Sequence, residues 1–169
     1  MENFADLYSD YLISSSSYAT STGMANLLSI KHDKITRELS NGDYDSKFLW
    51  KQSKVYVKEL TQSKELITLS FDDSIEEKRY TDESELHCWH FDHTFGKSVR
   101  GVNFLTALIE VGTMRLPCAV EFVKKDLWKK DPKTGKEKRK SSVSKNELFR
   151  KMLRECNGKF RFDYVLADS

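Results

Sequence analysis

The sequence predicts a mixed fold, α+β or α/β, in which a helical N-terminal region precedes a sheet. Three observations carry this. Apolar residues recur at spacings of three and four through the first sixty residues; from Leu66 they give way to short runs rich in β-branched and aromatic residues; and one strongly capped helix near Ser144 separates an early group of strands from a last one. With 169 residues, 38% hydrophobic and 32% charged, the chain can build one sizeable core. No apolar run approaches the roughly 20 residues of a membrane-spanning helix, and the start, Met1-Glu2-Asn3-Phe4-Ala5-Asp6, lacks the features of a signal peptide. A cytoplasmic protein with no membrane partner is expected. Cys88, Cys118 and Cys156 are odd in number and widely spaced, which favours reduced core thiols over a disulfide framework.

In order, Phe4, Leu7, Tyr8, Tyr11 and Leu12 mark one face of a first helix, and Ser14 to Ser17 break it. A second helix covers Ala19 to Leu28, and a third runs from Lys31 to Leu39 and is closed by Asn41-Gly42. A fourth is N-capped by Asp45, with Phe48, Leu49, Gln52, Tyr56 and Leu60 on one face. The third helix is polar and partly basic. In a helix-turn-helix-like arrangement Lys31, Lys34, Thr36 and Arg37 would face DNA. Residues 1–62 are therefore expected to form a helical, DNA-binding-like region.

Residues 63–169 read as the sheet region. Leu66 to Phe71 is a strand that ends in two acids, Asp72 and Asp73. Leu86 to Phe91, Val99 to Val111 and Leu116 to Val123 follow as an antiparallel meander. Ser144-Lys145-Asn146-Glu147 is a capping box that opens a helix with Leu148, Phe149, Met152, Leu153 and Cys156 inward, and Asn157-Gly158 closes it. Phe160 to Ala167 is the last strand and delivers Asp168. A helical crossover places that strand parallel to and near the first, so Asp73 or Asp72 should meet Asp168 in one pocket. Two carboxylates at strand ends suit hard divalent cations.

Charge is unevenly spread. The net charge is +2, yet residues 124–140 hold nine Lys/Arg against three acids, so the remainder of the chain nets −4. The segment, a basic loop over 124–143 with Lys129, Lys130, Lys138, Arg139 and Lys140, is a footprint for a polyanion such as a nucleic-acid backbone. A zinc site on His87, Cys88, His90 and His93 is disfavoured, because strand residues three apart point to opposite faces.

Four stretches carry a resemblance: Ser70-Phe71-Asp72-Asp73-Ser74-Ile75-Glu76-Glu77-Lys78, Cys88-Trp89-His90-Phe91-Asp92-His93, Lys97 to Leu105, and Tyr164-Val165-Leu166-Ala167-Asp168-Ser169. Together they resemble the N-terminal part of insertion-sequence transposases of the DDE type, which have a ribonuclease-H-like catalytic domain. The resemblance implies cutting and joining of double-stranded DNA at the element's ends and target, and a bacterial, nucleoid-associated setting. It also implies Mg²⁺ or Mn²⁺ held by catalytic acids, and a homodimer in the intact enzyme. By motif position the first catalytic acid is Asp73 and the second is Asp168. Ser74 stands where Thr is common and Arg79 where Pro is usual. The family continues to a third acid, a Glu; Glu110, Glu121, Glu147 and Glu155 lie in earlier elements. The expectation is thus an incomplete ribonuclease-H-like mixed sheet of three to four strands, a helix and a strand, in a truncated chain inactive alone. The alternative is a non-enzymatic DNA-binding remnant or regulator of transposition; a zinc-binding protein comes third.

Overall fold

The computed structural model describes residues 4–16, 18–78, 80–132 and 134–167. Asp168, Ser169 and Arg79 lie outside them. The chain divides into two compact units, Met1–Asp43 and Tyr44–Ser169. Among the described residues there are five helices and seven strands, a mixed α+β architecture.

The first unit holds α1 (Phe4–Ser14), α2 (Ser21–Leu27) and α3 (His32–Asn41). Thr20 caps α2 by accepting from Gly23 N, and Tyr11 Oη donates to Thr20 O at 3.1 Å, which ties the first helix to the start of the second. Met24, Ala25 and Ile35 are buried, with Phe4, Leu7, Tyr8, Tyr11 and Leu39 packed around them. Three short helices thus share one small apolar centre, and the polar side of α3 is left to solvent.

The second unit begins with α4 (Ser46–Leu60), not after it. The expected boundary at 62/63 moves because Val57, Trp50 and Leu60 belong to the apolar core of the sheet. The inward face of α4 also differs from the expected one. It carries Trp50, Ser53, Val57 and Leu60, whereas Gln52 and Tyr56 are exposed. Ser53 can occupy a core-facing position because its hydroxyl donates to Leu49 O at 3.0 Å, and a serine in that stripe hides it from an apolar count.

The sheet comprises β1 (Ile67–Glu77), β2 (His87–Asp92), β3 (Lys97–Val111), β4 (Met114–Phe122) and β7 (Tyr164–Ala167). It is not a simple meander. Its order is β2-β3-β1-β7, with β4 also pairing β3. The 15-residue β3 is long enough to pair β2 through its first half, β4 through its second, and β1 along its other edge. Its burial alternates without a break from Val99 to Val111, as a strand with one covered face requires.

Between β4 and the last helix, the segment expected as a basic loop contains a two-stranded hairpin, β5 (Leu127–Lys130) and β6 (Glu137–Lys140). Its turn is closed by Asp131, which accepts from Thr134 N, and by Gly135 at φ +69. Then α5 (Lys145–Asn157) starts at the Ser144–Glu147 capping box and buries Met152 and Cys156 against the core. The chain returns through Phe160, also in the core, to β7. That strand pairs parallel with β1 in the register Thr68↔Tyr164 to Phe71↔Ala167. No helix of the described residues is long and apolar enough to cross a membrane.

Candidate functional site

Asp73 lies within β1, not at its end. The strand runs on to Glu77, because Ser74, Ile75, Glu76 and Glu77 keep pairing with β3. The last β1–β7 pair among the described residues is Phe71↔Ala167. Alternation sends the two acids to opposite sides of the strand. Asp72 accepts a 2.6 Å bond from Ser74 Oγ on its own side. Asp73 continues the covered row of Ile67, Leu69 and Phe71 toward α5.

On that side Asp73 meets two partners. Asn103 Nδ2 donates to Asp73 Oδ1 at 2.6 Å and to Ser74 O at 3.2 Å. The ammonium of Lys145, first residue of α5, pairs with Asp73 Oδ2. Asn103 stands at an inward position of β3 and is 0% exposed, and its Oδ1 is buried with no hydrogen-bond partner among the described residues. Its neighbour in β3, Gly101, is fixed by space. A Cβ there would lie 2.2 Å from Glu76 O, so only glycine lets β1 and β3 approach this closely.

Beside this pair lies a buried corner of β2. Cys88 Sγ and His90 Nε2 are 3.4 Å apart, and both residues are buried. Burial holds the His90 pKa down to about 4, helped by the Lys125 and Lys145 charges and opposed by Asp73. His90 is therefore neutral at pH 7. Burial likewise lowers Lys125 and raises Cys88. His87 is engaged elsewhere: its ring nitrogens lie 2.9 Å from Asp82 O and 2.7 Å from Lys78 O. An open groove of about 500 Å³ runs past Asp72, Asp73, Ser74, Asp92 and His93.

Whether these residues suit a divalent cation depends on the donors. Asp73 is a hard oxygen donor on an open groove, with a cationic group already against one of its oxygens, and so fits as one ligand. Among the described residues no group of three or more His, Cys, Asp or Glu could hold a metal ion. Its expected partner, Asp168, lies outside them. The glutamates are committed elsewhere: Glu110 to Ser70 and Arg115, Glu121 to Lys151, Glu155 to Lys151 at 4.0 Å, and Glu147 to the Ser144 cap.

The basic residues divide into free and engaged. Lys31, Lys34 and Arg37 of the first unit are exposed, while Ile35 between them is buried. In the hairpin, register puts Lys129 opposite Lys138, and Trp128 opposite Arg139. Arg139 stacks 4.4 Å over the Trp128 ring and bonds Glu83 Oε1 at 3.0 Å, so it fastens the hairpin instead of presenting charge. Lys138 pairs with Asp131 at 2.7 Å. Lys129, Lys130 and Lys140 are exposed. Sequence reasoning missed Lys145 and Asn103. The usable signal for Asn103 was a polar residue at an inward position of the alternating β3.

No protein-family model matches the chain, and no curated protein or solved structure is significantly similar to it.

Proposed function

We propose that the second unit is the catalytic part of a DDE-type DNA transposase, ribonuclease-H-like in fold, in which Asp73 and Asp168 would hold Mg²⁺ or Mn²⁺. The observation that carries this reading is the parallel pairing of β1 and β7. Its last pair among the described residues is Phe71↔Ala167; in the sequence Asp72-Asp73 follow Phe71, and Asp168 follows Ala167. The pairing is parallel because a helix returns the chain, and it sets Ala167 beside β1 two residues short of Asp73, partway along that strand.

The chain's own residues supply the setting. Asn103 fixes one oxygen of Asp73. His90, neutral at pH 7, adds no competing charge to the corner. Lys129, Lys130 and Lys140 offer exposed charges to phosphates, and Lys31, Lys34 and Arg37 do the same from the first unit. A bound divalent cation would supply stabilisation of the charge that develops on a phosphodiester under attack. The reading assigns no third acid. The Lys145 ammonium on Asp73 favours a second reading, a DNA-binding regulator that does not cut.

One set of measurements separates the two. In the transposase reading Mn²⁺ selectively broadens the amide resonances of residues 71–74 and 164–167, and Asp73→Asn removes the effect while DNA binding persists. Broadening that survives Asp73→Asn moves the role to Asp72 or ends the metal argument; DNA binding with no site-selective broadening leaves the regulator. In either case, neutralising Lys129, Lys130 and Lys140 should reduce the slope of log affinity against log salt by about 3. An unchanged slope makes the hairpin a bystander.

A further inference from the structure

In β2, Trp89 and Phe91 alternate with the buried Cys88 and His90, so both rings lie on the opposite side of the strand, and each is more than half exposed. They share an open groove of about 540 Å³ with Trp128 of the β5–β6 hairpin, which is also more than half exposed. Singly exposed aromatics need no explanation; three on one groove form a patch of the kind that marks a binding surface. The Trp128 ring is fixed in advance. Arg139 stacks 4.4 Å over it, bonds Glu83 at 3.0 Å and donates to Lys125 O at 3.4 Å, so a ligand that stacks there orders little more. Lys125 adds charge to the same groove. It is half-buried, its ammonium donates to Trp89 O, and among the described residues no carboxylate pairs with it. Of the carboxylates on the groove, Glu83 is held by Arg139 and Glu137 is exposed on β6. Flat rings beside an uncompensated ammonium suit a ligand that is both aromatic and anionic, and they count against a quaternary ammonium.

Spacing narrows the class further. Residues two apart in a strand are separated by about 6.8 Å, about twice the 3.4 Å step between stacked bases of a duplex strand. Trp89 and Phe91 can therefore each take one base of an opened strand, whereas paired and stacked bases offer no free face. We propose that the groove between β2 and the β5–β6 hairpin binds an unpaired nucleic-acid strand, with bases stacked on Trp89, Phe91 and Trp128 and a phosphate on Lys125. The site requires neither Asp73 nor a cation and is distinct from the duplex contacts of Lys129, Lys130 and Lys140, so it goes beyond the function proposed above.

The test is the affinity of the full chain for oligothymidylate of about 12 nucleotides, free and annealed to its complement, read by fluorescence anisotropy, with folding followed by the thermal midpoint. Trp89→Ala and Phe91→Ala should each weaken binding of the free strand about 5–150-fold, one stacking contact apiece, and leave duplex affinity unchanged. Lys125→Gln should lower the free strand's slope of log affinity against log salt by about 0.7. Tyr56→Ala, which removes an exposed ring from α4, should change nothing. Oligouridylate of the same length separates the two sources: the tighter strand names the backbone, and its binding must also weaken in Trp89→Ala. Both rings are exposed, so both alanine variants should fold; should one not, the other decides alone. No binding of either strand, equal losses for free strand and duplex, parent-like affinity in the folded alanine variants, or equal competition by polyglutamate overturns the proposal. A chain without site-selective Mn²⁺ broadening loses the metal reading and keeps this one.

Discussion

The two sides of the β1–β3 ladder start from the same backbone and arrive at different chemistry. On the covered side Ile67, Leu69 and Phe71 pack against α4 and α5, and the row ends in Asp73 with a buried amide and an ammonium. On the other side Ser70, Asp72, Leu108 and Glu110 are half-buried or exposed; Glu110 accepts from Ser70 and pairs with Arg115, and Asp72 accepts from Ser74. Adjacent carboxylates therefore differ in what they can do. Asp72 has a hydroxyl from its own strand, whereas Asp73 sits in a setting built by three other segments.

That contrast can be broken or sharpened by substitution. The largest effect belongs to the covered side. Met152 is 0% exposed in α5, and Met152→Ala should cost about 2–5 kcal/mol in denaturant unfolding. Leu108→Ala on the other side should cost about 1 kcal/mol. Equal losses would mean that the two sides are equally packed.

Next comes pH. His90 has a folded pKa of about 4 against an ordinary 6.5, because of burial first and then Lys125 and Lys145; Asp73 opposes them and His87 adds slightly. Between these values the unfolded chain binds the proton and the folded chain does not. The contribution is full above pH 6.5 and is lost as pH falls toward 4, by about 3 kcal/mol in all. Urea midpoints from pH 7 to 4 should drop less steeply in His90→Gln than in the parent. Parallel curves would place His90 in contact with solvent.

The smallest effect is on the open side. Arg115 is well exposed, and its 3.1 Å pair with Glu110 should contribute less than about 1 kcal/mol, so Arg115→Ala should barely move the thermal midpoint and salt should mask the change.

Sequence was informative where one local rule dominated. The Ser144–Glu147 box is a self-contained hydrogen-bond pattern, and α5 starts where it says. The crossover argument for β7 needed only a helix between two strands, and the parallel pair is present. It was silent where pairing overrides composition. Asp72 to Glu77 is too polar to look like a strand, yet β3 holds it as one. The basic hairpin puts lysine opposite lysine, which no propensity favours, and relies on Asp131, Gly135 and the Arg139 stack. The α4 stripe was obscured by Ser53. Lys145 and Asn103 lie 72 and 30 positions from Asp73, and only the folded sheet brings them together.

Gly101 decides which of the two aspartates that setting serves. The absence of a side chain there lets the Glu76 carbonyl come close, and a slip of one residue along β3 would push either Arg100 or Val102 into the same space. A slip would also turn every side chain of β1 to the opposite side. The missing methyl thus works as an index notch: it lets the two strands engage in one alignment and refuses the neighbouring ones, and in that alignment the Asn103 amide finds Asp73 and not Asp72.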